Sequence, residues 1–294
     1  NERLYKVKIS VAKDAGYCFG VRDAVNMAYD ATQKYGEVYM LGSIVHNEKV
    51  VDDLKAAGAK IVKNLSDVPK GSPILFRAHG TVDKLWDEAR AKNMNIIDAT
   101  CPLVYEIHRE VKRLSEDGRQ IIVIGDHGHD EVVAIANQVP KSIVVASPKE
   151  ALAMKKYKHA GVVSQSTQAI ENVQEIINIL MTKVFDLHFI NTICYPTKRN
   201  HQQIEQMALE NDIMLIIGSF TSANSKRLTQ LALKLNKNSY QVTSAEDLKP
   251  EWFSKKNTVG ISAGASTPDY LIEQVKIKIE KINKDKLWQK ERMI

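Results

Sequence analysis

Residues 94–118 read MNIIDATCPLVYEIHREVKRLSEDG, and this stretch decides the fold. A short apolar run leads into Cys101. A helical pattern then starts at Pro102 and stops at Gly118. Proline near a helix start and glycine past its end is the asymmetry that helix termini impose. Cys101 therefore lies at a strand-to-helix junction. The same setting surrounds the other two cysteines. KVKISVA precedes Cys18, and VRDAVNMAYDATQKYG follows it, with Val21, Ala24, Val25 and Ala28 at helical spacing before Gly36. LHFINTI precedes Cys194, and PTKRNHQQIEQMALEN follows. One cysteine opens each third of the chain, the signature of an internal repeat.

A second repeat lies between the cysteines. Short apolar runs end in small, polar or histidine-bearing loops: VYMLGSIVHN, PILFRAHGT, IIVIGDHGHDE, GVVSQST, IMLIIGSFTSANS and TVGISAGAST. Each third carries two of them, and helices follow. Strands alternating with helices imply α/β units with mostly parallel sheets. Ligands in such sheets bind beyond the carboxyl ends of the strands, where these loops lie. The expected architecture is three pseudo-threefold-related α/β domains around a shared centre. They are residues 14–100, residues 101–193, and residues 194–282 joined by the N-terminal strand in 1–13. A basic tail, 283–294, follows.

The 294 residues are 44% hydrophobic and 26% charged, enough to bury cores. A disordered chain, a collagen-like fibre and a small disulfide scaffold are excluded. No apolar run approaches the ~18 residues of a membrane span. The opening NERLYKVKIS shows no signal-peptide apolar segment, so the expectation is a cytoplasmic protein. The net charge is +6. That charge fits solvated helix faces, an acidic protein partner, an anionic substrate or nucleic acid. Aromatic residues are only 6% and no stacking motif is present, which argues against nucleic acid.

Three cysteines at equivalent junctions suit a metal centre, against the plainer reading of three small core residues. The spacing is not that of a local zinc knuckle. Thiolates select zinc, copper(I) or iron–sulfur, and a 4Fe–4S cluster on three cysteines would keep one iron without a protein ligand. His46, His79 and His129 each occupy a strand-end loop. The other loops offer Ser164, Ser166 and Thr167, then Ser222 and Asn224, then Ser266. Imidazoles, hydroxyls and amides at helix N-termini bind phosphate groups. Glu131 is the carboxylate best placed as a proton source, although a first-turn helix glutamate explains it as simply. His127 ranks below His129. His108 reads as packing, and His159, His188 and His201 lack context.

Nine segments in order carry a resemblance: AGYCFGVRDAV, GSIVHNEKVV, FRAHG, DATCPLV, GDHGHDEV, SQST, NTICYPT, GSFTSANSKRL and AGASTPDYLIEQV. Together the chain resembles the family of 4-hydroxy-3-methylbut-2-enyl diphosphate reductases, which act last in the methylerythritol phosphate route to isoprenoids. The resemblance implies a 4Fe–4S cluster on Cys18, Cys101 and Cys194, with the substrate hydroxyl at the open iron. It implies that His46, His79, His129, Ser222, Asn224 and Ser266 hold the diphosphate. Glu131 would relay protons, with Thr167 beside it. Two electrons and protons would remove the allylic hydroxyl as water and give isopentenyl and dimethylallyl diphosphates. No flavin or nicotinamide site is visible, so a ferredoxin or flavodoxin is the expected electron donor. A monomer or weak homodimer is expected. The family often reads His-Pro-Glu and then Val-x-Gly. Asp130 replaces that proline, Ala134 stands where the glycine is common, and Ala223 stands where serine is common. An extra carboxylate at 130 is expected to raise the pKa of His129. The rival readings are a three-cysteine dehydratase similar to quinolinate synthase and a basic nucleic-acid binder.

Overall fold

The computed structural model describes residues 7–254 and 256–291, with 285–291 as backbone only. The first six residues of the expected N-terminal segment and 292–294 of the expected basic tail lie outside the described residues. The chain begins with β1 (Lys8–Val11), α1 (Phe19–Tyr35), β2 (Val38–Leu41), α2 (Glu48–Ala56), β3 (Ala59–Val62), β4 (Pro73–Phe76), α3 (Asp83–Ala91) and β5 (Asn95–Asp98). It continues through α4 (Pro102–Glu116), β6 (Gln120–Ile124), α5 (Asp130–Ala136), β7 (Ile143–Val145), α6 (Pro148–Ala153), β8 (Tyr157–Ser164), α7 (Ile170–Leu180) and β9 (Val184–Phe189). The last part holds α8 (Tyr195–Glu210), β10 (Ile213–Ile217), α9 (Ala223–Leu235), β11 (Ser239–Val242), β12 (Thr258–Ala263) and α10 (Asp269–Glu291).

Among the described residues the strands form three four-stranded sheets, and every strand pair is parallel. Their orders are β3-β2-β4-β5, β7-β6-β8-β9 and β11-β10-β12-β1. Each is the same second-first-third-fourth order. In the last sheet β1 takes the fourth place, with Lys8 opposite Thr258 and Val11 opposite Ile261. Parallel neighbours need a crossover, and the helices supply it. The α/β class with parallel sheets is as the sequence implies.

Helices on both faces bury both faces of a strand, so the strands read as unbroken apolar runs. In β10, Ile213, Leu215 and Ile217 enter one core with Leu271, Val275 and Ile279 of α10. Met214 and Ile216 enter another, with Ile204 of α8 and Leu228 and Ala232 of α9. β6 divides likewise. Ile122 and Ile124 pack with Val173 and Ile176 of α7, while Ile121 and Val123 pack with Val111 and Leu114 of α4. Ile74 and Phe76 of β4 share a core with Leu65, Val68 and Ala89.

The chain divides into two compact units. One runs to Cys18, takes in His46–Val50 and resumes at Tyr195; it holds the sheet of β1. The other comprises Phe19–Val45 and Val51–Cys194 and holds the other two sheets. The helices after the cysteines lie where the sequence puts them. Gly36 and Gly118 follow α1 and α4 with φ of 72° and 73°, the left-handed conformation that ends helices. LHFINTI differs from expectation. β9 starts earlier and ends at Phe189, and Thr192 instead bonds the end of β8. Its hydroxyl accepts from Ser164 N at 2.7 Å and donates to Ser164 O at 2.6 Å. At the far end, α10 carries the backbone through Glu291, so the expected tail is helix as far as it is described.

Candidate functional site

Each cysteine is part-buried and immediately precedes a helix: Cys18 before α1, Cys101 before α4, Cys194 before α8. Each is pinned by its backbone in the same way. Cys18 N–H donates to Ala265 O at 3.3 Å, Cys101 N–H to Ala78 O at 3.0 Å, and Cys194 N–H to Ser166 O at 2.9 Å. The acceptor always lies two residues beyond the third strand of its sheet: β12, β4 or β8. The repeat seen in sequence is thus a repeat of anchoring. A helix N-terminus favours negative charge, and the thiolate is the form that binds metal.

The Cys101 sulfur has a fitted neighbour. A Cβ built on Gly20 would lie 2.5 Å from Cys101 Sγ, so only glycine leaves that sulfur its place. The loop before Cys101 is tied by Asp98. Its Oδ1 accepts from Thr100 N at 3.1 Å and Thr100 Oγ1 at 2.6 Å, and its Oδ2 accepts from the Tyr105 hydroxyl. Burial, then the bond to Asp98, pushes the Tyr105 phenol up to about 12.

In the unit holding Cys18, Ser222 caps α9 and accepts from Ser225 N at 3.3 Å. Asn224 lies in the first turn of the same helix, buried, and its Oδ1 has no hydrogen-bond partner among the described residues. Ser266 is buried and donates to His46 O at 3.1 Å. The loops after β10 and β12 adjoin because Gly218 and Gly264 both make room for the Ser225 side chain. The His46 segment is fastened to this unit a second time. Glu48 Oε1 accepts from Ser219 Oγ and from Thr221 Oγ1, each at 2.8 Å. Partial burial pushes the Glu48 carboxyl up. The Ser219 bond, its own backbone N–H, the Thr221 bond and the charge of His46 outweigh this and hold it below the usual range. His46, Ser222, Asn224 and Ser266 are therefore carried by segments of one unit that are bonded together.

In the other unit, the rings of His79 and His129 stand perpendicular with centroids 5.6 Å apart. His129 caps α5: its Nδ1 accepts from Glu131 N at 3.2 Å. A ring nitrogen that accepts carries no proton, so the ring proton is on Nε2. Glu131 is buried, at 3% exposure, although it sits in the first turn of a short helix. Its Oε1 accepts from Ser166 N at 2.6 Å and its Oε2 from Ser166 Oγ at 2.8 Å. Thr167 follows in the same loop and accepts from Gln165 Nε2 at 3.2 Å. Gln165 Oε1 accepts from Asp126 N at 3.0 Å, which joins this loop to the one carrying His129.

Asp130 pairs with Arg77: Nη1 to Oδ2 is 2.6 Å. This is the carboxylate that the sequence sets beside His129. Ala134 is buried, and its Cβ fills space beside Gly80. His108 is packing, as its helical position implies: it is 5% exposed, and burial, then the charge of Lys112, lowers it to about 4. His127 pairs with Glu150 at 2.8 Å and His159 with Asp186 at 3.1 Å. Glu48, Gln165, Gly20, Asp98 and Arg77 escaped sequence reasoning. Each lies within or beside a motif already singled out, which was the one signal available.

Known proteins supply a comparison. The family model described as LytB protein matches residues 9–280. A curated relative from Geotalea uraniireducens, named 4-hydroxy-3-methylbut-2-enyl diphosphate reductase, is 40% identical over 95% of this chain and 99% of its own length. One of the same name from Aquifex aeolicus is 37% identical over 94% of this chain and 97% of its own. The solved structure of the Plasmodium falciparum E-1-hydroxy-2-methyl-but-2-enyl-4-diphosphate reductase matches with TM-score 0.88 at 26% identity, covering 92% of this chain and 87% of that one. A solved (E)-4-hydroxy-3-methyl-but-2-enyl diphosphate reductase, the terminal enzyme of the non-mevalonate pathway, matches with TM-score 0.70 at 37% identity, covering 94% and 100%.

Proposed function

This chain belongs to the LytB protein family, and from that premise we propose that it reduces 4-hydroxy-3-methylbut-2-enyl diphosphate. The allylic C–O bond breaks, two electrons and two protons are taken up, and water leaves. The products are isopentenyl and dimethylallyl diphosphates. One observation carries the reading: relatives of that name match over nearly the whole of both chains, and their likeness spans every segment that holds a candidate residue.

Cys18, Cys101 and Cys194 would hold a 4Fe–4S cluster. Three identical anchors, three helix N-termini and the space kept for Cys101 Sγ by Gly20 fit such a group. When bound, the cluster supplies electrons one at a time and a Lewis-acidic iron. The remaining work falls to the protein. His129 offers Nε2–H to a diphosphate oxygen, and His79 lies against it. Asn224 buries an amide oxygen without a partner, a state that costs about 1–3 kcal/mol. A ligand donor, or the turned amide meeting a phosphate oxygen, would recover it. His46, Ser222 and Ser266 complete the anion set. Glu131 holds the proton, with Thr167 in the adjoining loop. Fixing the diphosphate tail fixes the hydroxyl, which is catalysis by positioning.

Electrons would come from an acidic ferredoxin or flavodoxin, steered by the net charge of +6. Cysteine ligands and low-potential electrons suit a reducing cytoplasm. Among the described residues no helix is long and apolar enough to cross a membrane. The test is anaerobic turnover of the hydroxylated allylic diphosphate by the iron-loaded chain with a reduced dye. Formation of both products upholds the reading. Loaded protein that leaves the substrate unchanged overturns it.

A further inference from the structure

Asp130 and Arg77 join two loops that come from different sheets. Arg77 opens the loop after β4, two residues before His79, and Gly80 N–H closes a turn on Arg77 O at 3.2 Å. Asp130 is the first residue of α5, immediately after His129. The two side chains meet at 2.6 Å, and are 23% and 29% exposed, so solvent screens the pair only in part. The loop after β2 also approaches the guanidinium, since a Cβ on Gly42 would lie 2.8 Å from Arg77 Nη1. The rings of His79 and His129 stand 5.6 Å apart at the two ends of this link.

We propose that the Arg77–Asp130 ion pair is a strap that sets the spacing of His79 and His129, making both strap members positioning residues for diphosphate. The inference rests on the anion-binding role proposed above for the two histidines.

Simple electrostatics and the strap predict opposite signs. Asp130 is a negative charge one residue from an anion-binding side chain. If charge alone mattered, removing it would tighten diphosphate binding, the more so because Arg77 would be left as an unpaired cation. If the strap matters, removing Asp130 loosens binding because the two donors lose their fixed separation.

Asp130→Pro is the informative variant. The first helical position tolerates proline, and its N–H has no helical partner to lose. His129, the preceding residue, has φ −66° and ψ 133°, the extended conformation that proline requires of its predecessor. The variant keeps the start of α5 and loses the carboxylate together with the N–H.

The experiment measures inorganic diphosphate binding by calorimetry on the iron-loaded protein, with KM and kcat for the allylic substrate alongside. Wild type, Asp130→Pro, Arg77→Gln, the double variant and His79→Ala are compared. The expected result is a roughly three- to tenfold weaker Kd for Asp130→Pro. KM should rise in parallel while kcat stays within about twofold, the mark of an anchoring defect. Arg77→Gln should be at least as weak, because it also uncovers the Asp130 charge. The double variant should be no weaker than the worse single, since a broken strap cannot be broken twice. Unchanged or tighter binding by Asp130→Pro overturns the strap, as do single-variant losses that multiply. If wild type binds no diphosphate, or His79→Ala binds it as well as wild type, the anion-site reading fails and the strap with it. Wild-type binding that His79→Ala weakens and Asp130→Pro does not leaves that reading standing and removes the strap alone.

Discussion

Ser166 donates to both carboxylate oxygens of Glu131, through its backbone N–H at 2.6 Å and its hydroxyl at 2.8 Å. The two bonds differ in what they permit. An amide N–H can only donate, so Oε1 must remain an acceptor. A hydroxyl can turn and accept, so a proton on Oε2 can be held by Ser166 Oγ. On the proposed reading of Glu131 as proton source, the transferable proton would belong on Oε2. The carbonyl of the same serine receives Cys194 N–H at 2.9 Å, so one residue orients the acid and anchors a cysteine.

Glu131→Gln preserves the shape of the side chain and can keep both contacts, with its amide oxygen facing the N–H and its NH₂ facing the hydroxyl oxygen. Iron content and substrate affinity should be unchanged, while kcat falls by about 10²- to 10⁴-fold. Ser166→Ala keeps only the N–H bond. Losing a hydrogen bond to the protonated carboxyl costs about 0.5–1.5 kcal/mol, so its kcat should fall roughly 2- to 13-fold. Single-turnover reduction by pre-reduced protein measures both. A wild-type rate in Glu131→Gln would move the proton source to Thr167 with a water, or to the diphosphate itself.

Gly20→Ala should damage the proposed iron site without replacing any of the proposed ligands. The new methyl would meet Cys101 Sγ at 2.5 Å, and the fixed start of α1 gives it little room to retreat. Iron per chain should fall, and the visible absorption of what remains should differ from wild type. Full iron content with an unaltered spectrum would show that the sulfur has space to spare.

His129 caps α5 and is proposed to bind diphosphate, and two variants separate the two roles. His129→Ala removes the cap of α5 and the Nε2 donor. It should cost about 0.5–2 kcal/mol of stability and weaken diphosphate binding roughly 10- to 150-fold. His129→Asn restores a good capping residue but not the donor. Its melting temperature should return toward wild type while affinity stays low. Recovery of affinity along with stability would mean that the ring only caps.

His108 should leave a mark on stability against pH. Its folded pKa is about 4 and its unfolded value about 6.5. Between these the unfolded chain takes up a proton that the native ring refuses, so stability falls as pH drops from 6.5 to 4 and is level below that. The loss reaches up to about 3 kcal/mol for a shift of that size. Urea unfolding of wild type and His108→Gln at pH 7.5 and pH 4.5 should show a smaller difference in the variant. Equal differences would mean that the ring takes up a proton in the native state.

The cysteines, histidines and strand-end loops were legible because their residue types recur at matched places in a repeating pattern. Boundaries failed where apolar residues served packing and not pleating. Ile190 and Ile193 extend the apolar run past β9 because they fill cores from a loop. The partnerships were not legible. Glu48 meets Ser219 across 171 residues of sequence and Glu131 meets Ser166 across 35. No local pattern encodes a hydrogen bond between loops of separate strands. Asp130 drew notice as an oddity of composition, but its partner Arg77 could be seen only once β4 and α5 were in place.

The pairing of β1 with β12 has a consequence for how the molecule is made. Lys8–Val11 leaves the ribosome long before its partner Thr258–Ala263. Contacts so far apart in sequence are slow to form, because a long loop must close before any bond rewards it. Phe19–Val45 and Val51–Cys194 hold two complete sheets and can assemble during synthesis, since chains fold from the N-terminus as they emerge. Cys18 follows β1 in the chain, just before α1, and waits for Ala265, two residues beyond β12. Cys18, made before Cys101 and Cys194, is therefore anchored after them, and a metal centre built on all three would be loaded late.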